Sequence, residues 1–437
     1  MKITKRQLFS LWLPLAIMNL VMASEQPMVT GIISRMGDAV NQLAAFGFSF
    51  SLALLVEGPV IQMFSAATAV SNNQSSYEKL HKIMNFLALA TTSIHLILLI
   101  PGIFNFVAVK ALNLPEQLEY DAYISFALMP TFSLAVGYRR LWQGVMIKCE
   151  RTDLVPYVMY IRLVVSISTL LLGLHFKFCS GAALGSLALA TGTASGAISA
   201  YFYARPLIKK MDIGPYEEDM DLKNMIKFYI PLALTSWITL GVRPLLNFGI
   251  TLGQNPVESL AVWPVVLPYV SLYSSITQSI QEIIVAQYQE ERRKTIIDFS
   301  LIISIVMTLL YFIVFAIKPL WNLWFIKISN LPTELLPYIP LSLFIMAINP
   351  YLTGRISLFR GILVARRKTK IITKGVTINV CTMLIVITLV SLTTKIPGVY
   401  IACIAYMIAF VFEFMFLKNN ARERKLQSKK KIIYSYK

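Results

Sequence analysis

The chain has 437 residues, of which 56% are hydrophobic and only 14% are charged, and its mean hydropathy is +0.65. Because an ordinary soluble protein carries about 25% charged residues, this composition excludes that class. The formal net charge is +18, but the basic residues are arranged as in membrane proteins, so a nucleic-acid partner is not expected.

Twelve apolar segments follow one another along the chain, and each is long enough for a membrane helix, which needs about 20 apolar residues. They cover residues 7–34, 40–71, 83–109, 120–148, 155–176, 180–208, 225–252, 257–286, 297–317, 336–364, 371–392 and 397–417. The sequence therefore predicts an all-α integral membrane protein with about 12 transmembrane helices.

The Lys and Arg residues are distributed unequally between the two sides of the predicted membrane segments. Most lie on the side that holds both termini, and six lie at the opposite, outer side: Arg35, Lys110, Lys177, Lys318, Lys327 and Lys395. Basic loops are typical of the cytoplasmic side. This pattern predicts a multi-pass protein of the inner or plasma membrane with both termini in the cytoplasm, and a basic tail near anionic lipid.

The first two segments each contain a carboxylate followed two residues later by a proline: Glu25 with Pro27, and Glu57 with Pro59. A charge at the membrane centre costs about 2.5–3.5 kcal/mol on insertion scales, and proline leaves a carbonyl unpaired four residues earlier. A carboxylate beside such a carbonyl can hold a proton or Na⁺. We predict that Glu25 and Glu57 couple ion movement and that both prolines break their helices. The alternative is that each carboxylate pairs with a buried arginine.

The interior of the apolar segments contains more arginine than acid, because six arginines stand against the two acids Glu25 and Glu57. The arginines are Arg139, Arg140, Arg162, Arg243, Arg355 and Arg360, whereas Glu282 and Glu413 lie nearer segment ends. Guanidinium is the preferred partner of carboxylate and phosphate groups, and a positive cavity attracts anions. The surplus therefore predicts an anionic ligand.

The chain contains two copies of one unit, related by one constant shift in residue number that we call the repeat shift. It takes Pro14 to Pro231, Gln26-Pro27 to Arg243-Pro244, Leu43-Ala44 to Leu260-Ala261, and "QGVMIKCERT" (143–152) to "RGILVARRKT" (360–369). Six helices per copy return the chain to its starting side, so the two copies are parallel repeats. The predicted units are an N-terminal lobe (1–210), a cytoplasmic linker (211–223), a C-terminal lobe (224–420) and a basic tail (421–437).

Transporters commonly bind their substrate at the interface between such repeats. A duplicated scaffold is the alternative, and the charged, proline-containing segments in both halves favour transport. Arg243 lies near the middle of the first segment of the second half, at the repeat position of Gln26. Pro244 is expected to bend the helix beside it, and Asn247 follows one turn later on a similar face.

Three stretches carry a resemblance to a known family: "LPLAIMNLVMASEQPMVTG", "LAAFGFSFSLALLVEGP" and "IPLALTSWITLGVRPLLNFG". The chain resembles the progressive ankylosis family, which belongs to the multidrug/oligosaccharidyl-lipid/polysaccharide (MOP) flippase superfamily with the MATE transporters. The matching motif positions are Glu25, Gln26, Arg243, Pro244 and Asn247. The resemblance implies two six-helix lobes in a V shape, alternating access, and release of anions such as nucleotides, citrate and pyrophosphate. The long acidic tail of animal members is replaced by a short basic end.

These observations together predict a monomeric secondary transporter of a small organic or phosphorylated anion. The predicted substrate-binding residues are Arg243, Arg355, Asn247, Gln26, Arg140 and Arg360; the predicted helix-breaking residues are Pro27, Pro59 and Pro244. No enzymatic activity, cofactor or metal is expected, and coupling to H⁺ or Na⁺ is left open. Two alternatives are a MATE-like exporter of cationic drugs, which predicts a cavity dominated by carboxylates, and a flippase of lipid-linked precursors, which predicts a lateral apolar groove.

Overall fold

The computed structural model describes residues 4–149, 151, 153–214, 220–366 and 368–422. The predicted linker 211–223 and tail 421–437 therefore fall partly outside the described residues. Helices of the first half are α1 (Lys5–Ile33), α2 (Ala39–Ile61), α3 (Met63–Val70), α4 (Gln74–Leu98), α5 (Pro101–Asn105), α6 (Glu119–Ala127), α7 (Pro130–Lys148), α8 (Leu154–Phe176) and α9 (Gly181–Lys209). Helices of the second half are α10 (Leu222–Thr251), α11 (Pro256–Gln278), α12 (Ile280–Gln287), α13 (Arg293–Ala316), α14 (Lys318–Asn322), α15 (Ile339–Met346), α16 (Asn349–Ala365), α17 (Thr369–Thr393) and α18 (Gly398–Arg422).

Nine helical segments of the described chain are long and apolar enough to cross a membrane, and eleven if each of two bent pairs counts as one span. One bend, of 40°, lies between Lys5–Leu13 and Leu15–Ile33; the other, of 84°, joins α4 to Pro101–Ala111. The remaining predicted segment, 120–148, corresponds to α6 and α7. It is less apolar because α7 carries Arg139, Arg140 and Gln143.

The two halves repeat each other helix by helix, as the repeat shift in the sequence predicts. Helices α2 and α11 begin and end at equivalent positions, and so do α3 and α12. Each half also contains a π-helical segment after a short helix, at Phe106–Ala111 and Leu323–Ile328. The same local sequence preferences therefore produce the same chain path twice.

Four residues of left-handed backbone conformation are also related by the repeat shift. Asp38 and Asn255 precede α2 and α11, with φ angles of 54° and 50°. Asn113 and Asn330 follow the two π-helical segments, with φ angles of 53° and 48°. Asp and Asn tolerate this conformation better than other non-glycine residues, so the turns are encoded locally in both halves.

The first helix of each half packs against the other half. Helix α1 packs mainly against α11, and α10 packs against α2. The ring of Trp12 lies 6.0 Å from that of Phe299, and the Tyr229 hydroxyl donates a hydrogen bond of 2.6 Å to the Pro59 carbonyl. These exchanged contacts bury apolar side chains between the halves and bring α1 beside the C-terminal helices.

Gly144 and its repeat mate Gly361 permit close helix packing at equivalent places. A Cβ atom at Gly144 would lie 2.6 Å from the Phe64 carbonyl oxygen. We expect Gly144→Ala and Gly361→Ala each to lower stability by about 1–3 kcal/mol, the usual cost of overpacking, as a lower melting temperature in detergent. Gly102→Ala is the control, because no atom of the described residues beyond its chain neighbours and its own helix backbone lies within 4 Å of its Cβ position. Equal melting temperatures for all three variants would contradict this packing role.

A pair of hydrogen bonds joins the two halves at the predicted outer end of α1. The Ser34 hydroxyl donates to the Ser329 carbonyl, and the Asn330 side-chain amide donates to the Ser34 carbonyl at 3.1 Å. We call this arrangement the first clasp. It connects the end of the first helix with the turn after the second π-helical segment.

The second clasp joins the halves at the end of α10. The Thr251 hydroxyl donates to the Leu112 carbonyl at 3.3 Å, and the Asn113 side-chain amide donates to the Thr251 carbonyl at 3.3 Å. The repeat shift relates the two clasps, pairing Ser34 with Thr251, Leu112 with Ser329 and Asn113 with Asn330. Two sets of hydrogen bonds related by the repeat shift therefore join the halves on the predicted outer side.

Candidate functional site

A cavity of about 460 Å³ lies between α1 and the helices α10, α11, α16, α17 and α18 of the second half. We call it the C-half cavity. Its polar and charged wall residues include Asn19, Arg243, Gln278, Asn349, Arg360, Asn379, Tyr406 and Glu413. Two arginines and one glutamate are the charged members of the described wall, so its formal charge is positive.

Arg243 is the arginine of this wall that has no salt-bridge partner among the described residues. Its guanidinium carbon lies 5.9 Å from the centre of the Phe50 ring, a cation–π geometry. It makes no salt bridge within the described part of the chain. The side chain is therefore held by an aromatic face while its donor groups stay available to a ligand.

Arg360 is paired with Glu413 in the same wall. The Arg360 Nε donates to Glu413 Oε1 at 3.0 Å, and an Nη group donates to the same oxygen. Asn379 donates to Glu413 Oε2 at 3.1 Å. We call Arg360, Asn379 and Glu413 the C-half triad. It satisfies both oxygens of a carboxylate that is only 2% exposed.

A second group of charges lies in the first half, and its members are not part of the wall of the C-half cavity. Glu25 forms a buried salt bridge with Arg162 of α8. Arg139 is 3% exposed, and one of its Nη groups contacts the Met159 sulfur at 3.3 Å. The N-half cluster, as we name it, consists of Glu25, Glu57, Arg139, Arg140 and Arg162. It holds three arginines against two glutamates.

Glu57 differs from Glu25 because it has no salt bridge among the described residues. It is 2% exposed, and its Oε2 has no hydrogen-bond partner there. Four arginines interact with it electrostatically: Arg140, Arg139, Arg162 and Arg243. The predicted alternative, in which each glutamate pairs with a buried arginine, thus describes Glu25 but not Glu57.

The two charge groups occupy related places in the repeat. The repeat shift takes Gln143, Arg162 and Gly196 to Arg360, Asn379 and Glu413, the members of the C-half triad. A Cβ atom at Gly196 would lie 3.1 Å from the Arg139 Cδ, so the absence of a side chain there makes room for arginine. Each half thus holds a carboxylate–guanidinium pair, and Arg162 of the first pair stands at the repeat position of Asn379, which contacts the carboxylate of the second.

The other predicted substrate-binding residues lie outside the wall of the C-half cavity. Arg355 contacts the Phe359 ring and the Ile297 carbonyl, and Arg140 lies over the Phe64 ring. Asn247 donates to the Ser51 hydroxyl at 2.8 Å, which ties α10 to α2. Gln26 is half-buried in α1 and is not part of the wall.

The predicted helix-breaking prolines lie within helices. Helix α1 continues through Pro27 to Ile33, and its 40° bend lies earlier, beside residue 14. Helix α10 continues through Pro244 to Thr251. Helix α2 ends two residues after Pro59, so this proline lies next to an actual interruption.

Glu413 belongs to the site in the structure, although the sequence places it near a segment end and does not mark it as a site residue. It is the one acidic residue of "VYIACIAYMIAFVFEFMF" in α18, and an isolated acid in such an apolar stretch is a signal for function. Glu282, the other acid placed near an end, belongs to α12, and its side chain is outside the described part. Within the described residues, no group of three His, Cys, Asp or Glu is arranged to hold a metal ion.

Comparison with solved structures identifies the fold. An inward-facing multidrug resistance MATE family transporter of the MOP superfamily is 13% identical with a TM-score of 0.70, covering 93% of this chain and 98% of that chain. A MOP superfamily transporter from Pyrococcus furiosus is 10% identical with a TM-score of 0.67, covering 96% of both chains. The lipid II flippase MurJ is 13% identical with a TM-score of 0.64, covering 93% of this chain and 87% of that chain.

These likenesses confirm the predicted fold class: the chain has the multi-pass, all-helical membrane fold of MATE/MOP transporters. No protein-family model matches the chain, and no curated protein matches it. The resemblance to the progressive ankylosis family therefore stays a prediction.

Proposed function

We propose that this protein is a secondary transporter that moves a small organic or phosphorylated anion across the membrane by alternating access. The observation that carries the proposal is the position of Arg243: it lies in the wall of the C-half cavity, and no described carboxylate forms a salt bridge with it. Nucleotides, citrate-like carboxylates and pyrophosphate are the substrate classes with suitable chemistry.

The size and polarity of the C-half cavity support this proposal. Its volume of about 460 Å³ lies in the range of small-molecule sites, roughly 300–1,000 Å³. Arg243 offers a planar fork of donors that fits carboxylate and phosphate oxygens. Neutral groups of Asn19, Asn349 and Tyr406 in the same wall can complete the hydrogen bonding of a multiply charged anion.

The N-half cluster supports ion coupling at Glu57. Buried polar atoms are normally hydrogen-bonded, yet Glu57 Oε2 has no partner among the described residues. A proton or Na⁺ bound at this carboxylate would supply the missing partner of Oε2. Glu25 Oε1 also has no partner among the described residues, but its Oε2 is engaged by Arg162, so an ion there must compete with a salt bridge.

Alternating access requires the two clasps to open, because they join the halves on the predicted outer side. We expect Asn113→Gly combined with Asn330→Gly to favour opening; glycine accepts the left-handed backbone at both positions. Two lost hydrogen bonds are worth about 1–3 kcal/mol, or roughly a fivefold to hundredfold change in the equilibrium. The readout is labelling of Asn19→Cys from outside by an impermeant thiol reagent, with the native cysteines replaced.

Asn41→Gly is the matched control for this experiment. Asn41 bonds Asp38 within its own half, so its removal should leave labelling at the starting rate. An unchanged rate in the double variant would show that the clasps do not hold the outer side closed.

Two alternatives follow from the neighbours of the fold. A MATE-like cation exporter predicts a cavity dominated by carboxylates, whereas Glu413 is the one acid in the described wall and is paired with Arg360. The binding pocket of the Pyrococcus furiosus transporter has reversed polarity, which suggests a different function for that protein. The fold therefore accommodates pockets of unlike charge. The likeness to MurJ keeps a lipid-linked anion as the second candidate.

A thermal-shift panel tests the proposal on the purified protein. A ligand that binds the folded state raises its melting temperature, so ATP, citrate or pyrophosphate should stabilise the protein while a cationic dye should not. Arg205→Gln is the control variant and should respond to the same ligands as the wild type, because Arg205 is exposed and stacks on Tyr201 near the end of α9. Stabilisation by the dye and by none of the anions would overturn the proposed function.

A further inference from the structure

The C-half triad places an internal carboxylate where an anionic substrate would bind. Arg360 directs two donors at Glu413 Oε1, and Asn379 supplies a third hydrogen bond, to Oε2. All three residues belong to the wall of the same cavity as Arg243. Glu413 therefore forms a salt bridge with one of the two arginines in the cavity wall.

The two partners of this pair differ in exposure. The Arg360 side chain is 29% exposed, whereas the Glu413 side chain is 2% exposed. A guanidinium group has five N–H donors, and the Nη1 group of Arg360 makes no hydrogen bond to the described residues. Arg360 can thus accept a further oxyanion, but the negative charge of Glu413 opposes it at short range.

We propose that Glu413 is a protonatable counter-ion that competes with the substrate for Arg360, so that the anion binds to the C-half cavity together with a proton. This inference rests on the proposed function and adds a coupling residue to it. One proton from solution adds to the Glu413 carboxylate, which turns from an acceptor of the Arg360 hydrogen bonds into a neutral acid. The described wall then changes from one net positive charge to two.

The groups around Glu413 are consistent with this role. The charged or titratable neighbours in the wall are Arg360 on α16, Arg243 on α10 and Tyr406 on α18, and Tyr406 interacts electrostatically with both arginines and with Glu413. The wall residues of α17, α1 and α11 are neutral, including Asn379. No second described carboxylate is present in the wall to absorb the proton in place of Glu413.

The test compares anion affinity in wild-type protein and Glu413→Gln by calorimetry from about pH 5 to pH 8, with pyrophosphate, citrate and ATP as probes. At the high end, we expect Glu413→Gln to bind at least about tenfold more tightly, the effect of removing a neighbouring opposing charge. The ratio should shrink as pH falls, because wild-type protein gains the proton. The anion itself titrates equally in both experiments, so its protonation does not affect the ratio of the two affinities.

Glu290→Gln is the matched control. Glu290 also pairs with an arginine of the second half, Arg366, but this pair is not part of the cavity wall. We expect this variant to bind each probe like wild type at every pH. A Glu413→Gln ratio that is below one, or that does not change with pH, would overturn the proposal.

A measurement on the wild type alone covers the case in which Glu413→Gln does not fold. Calorimetry in buffers of different ionisation enthalpy counts the protons that are taken up with each anion. We expect the wild type to take up nearly one proton more per bound anion than Arg360→Gln does at the same pH. Equal proton uptake in both proteins would reject the coupling while leaving anion transport intact. Absence of binding by all three anions in wild type would instead reject the proposed function, and this inference with it.

Discussion

Arg243→Gln is expected to weaken anion binding strongly while the protein stays folded. Among the described residues, Arg243 has no salt-bridge partner that its loss would leave unpaired, and it lies over the face of Phe50. Removing one partner of a buried charged contact with a ligand costs about 2–5 kcal/mol, which weakens binding about thirtyfold or more. The measurement is the affinity of purified protein for pyrophosphate, with the melting temperature as the test of folding.

Arg243→Lys should give an intermediate result. Lysine keeps the charge and loses the planar fork that binds two oxygens at once, so weak transport should remain. Arg205→Gln should match the wild type. If Arg243→Gln binds the anion with wild-type affinity, Arg243 is not part of the site.

Breaking the Glu25–Arg162 pair should have the largest effect on stability. Both side chains are nearly buried, with 9% and 12% of their surface exposed, and removal of one partner of such a pair costs about 3–5 kcal/mol. We expect Arg162→Gln to lower the melting temperature strongly, because the nearly buried Glu25 would lose the arginine that forms its salt bridge. Asp153→Asn is the control: its pair with Arg151 is exposed, and solvent screens such pairs so that they contribute little to stability.

A charge swap separates pairing from substrate binding. Glu25→Arg with Arg162→Glu should restore part of the lost stability, because the two side chains meet in the fold. Glu25→Arg with Arg243→Glu should restore none of it, because Arg243 lies against Phe50 and has no salt bridge with Glu25. Rescue by the second combination and not by the first would contradict the described pairing.

The helical architecture was predictable because it depends on local sequence. Long apolar runs specify membrane helices, and the repeat shift carried over to helix ends, to the π-helical segments and to the left-handed Asn113 and Asn330. The segment 120–148 was the weakest prediction as a span, because Arg139 and Arg140 reduce its apolar character.

The pairing of charges was not predictable in the same way. Glu25 and Arg162 lie 137 positions apart, and their contact depends on how α1 packs beside α8. The helical repeat does separate Arg355 from Arg360, because five residues correspond to about 140° around a helix, so one reaches the cavity wall and the other does not. The same reasoning fails at Asn247. Its position on nearly the same helix face as Arg243 predicts a place in the cavity wall, but its side chain donates a hydrogen bond to Ser51 of α2.

Uptake into proteoliposomes tests the central claim most directly. Purified protein should carry radiolabelled ATP, citrate or pyrophosphate into vesicles, and the same preparation should not carry a cationic dye. Arg243→Gln should lose the anion uptake, and Arg205→Gln should keep it. Uptake of the dye without any of the three anions, unaffected by Arg243→Gln, would contradict the account.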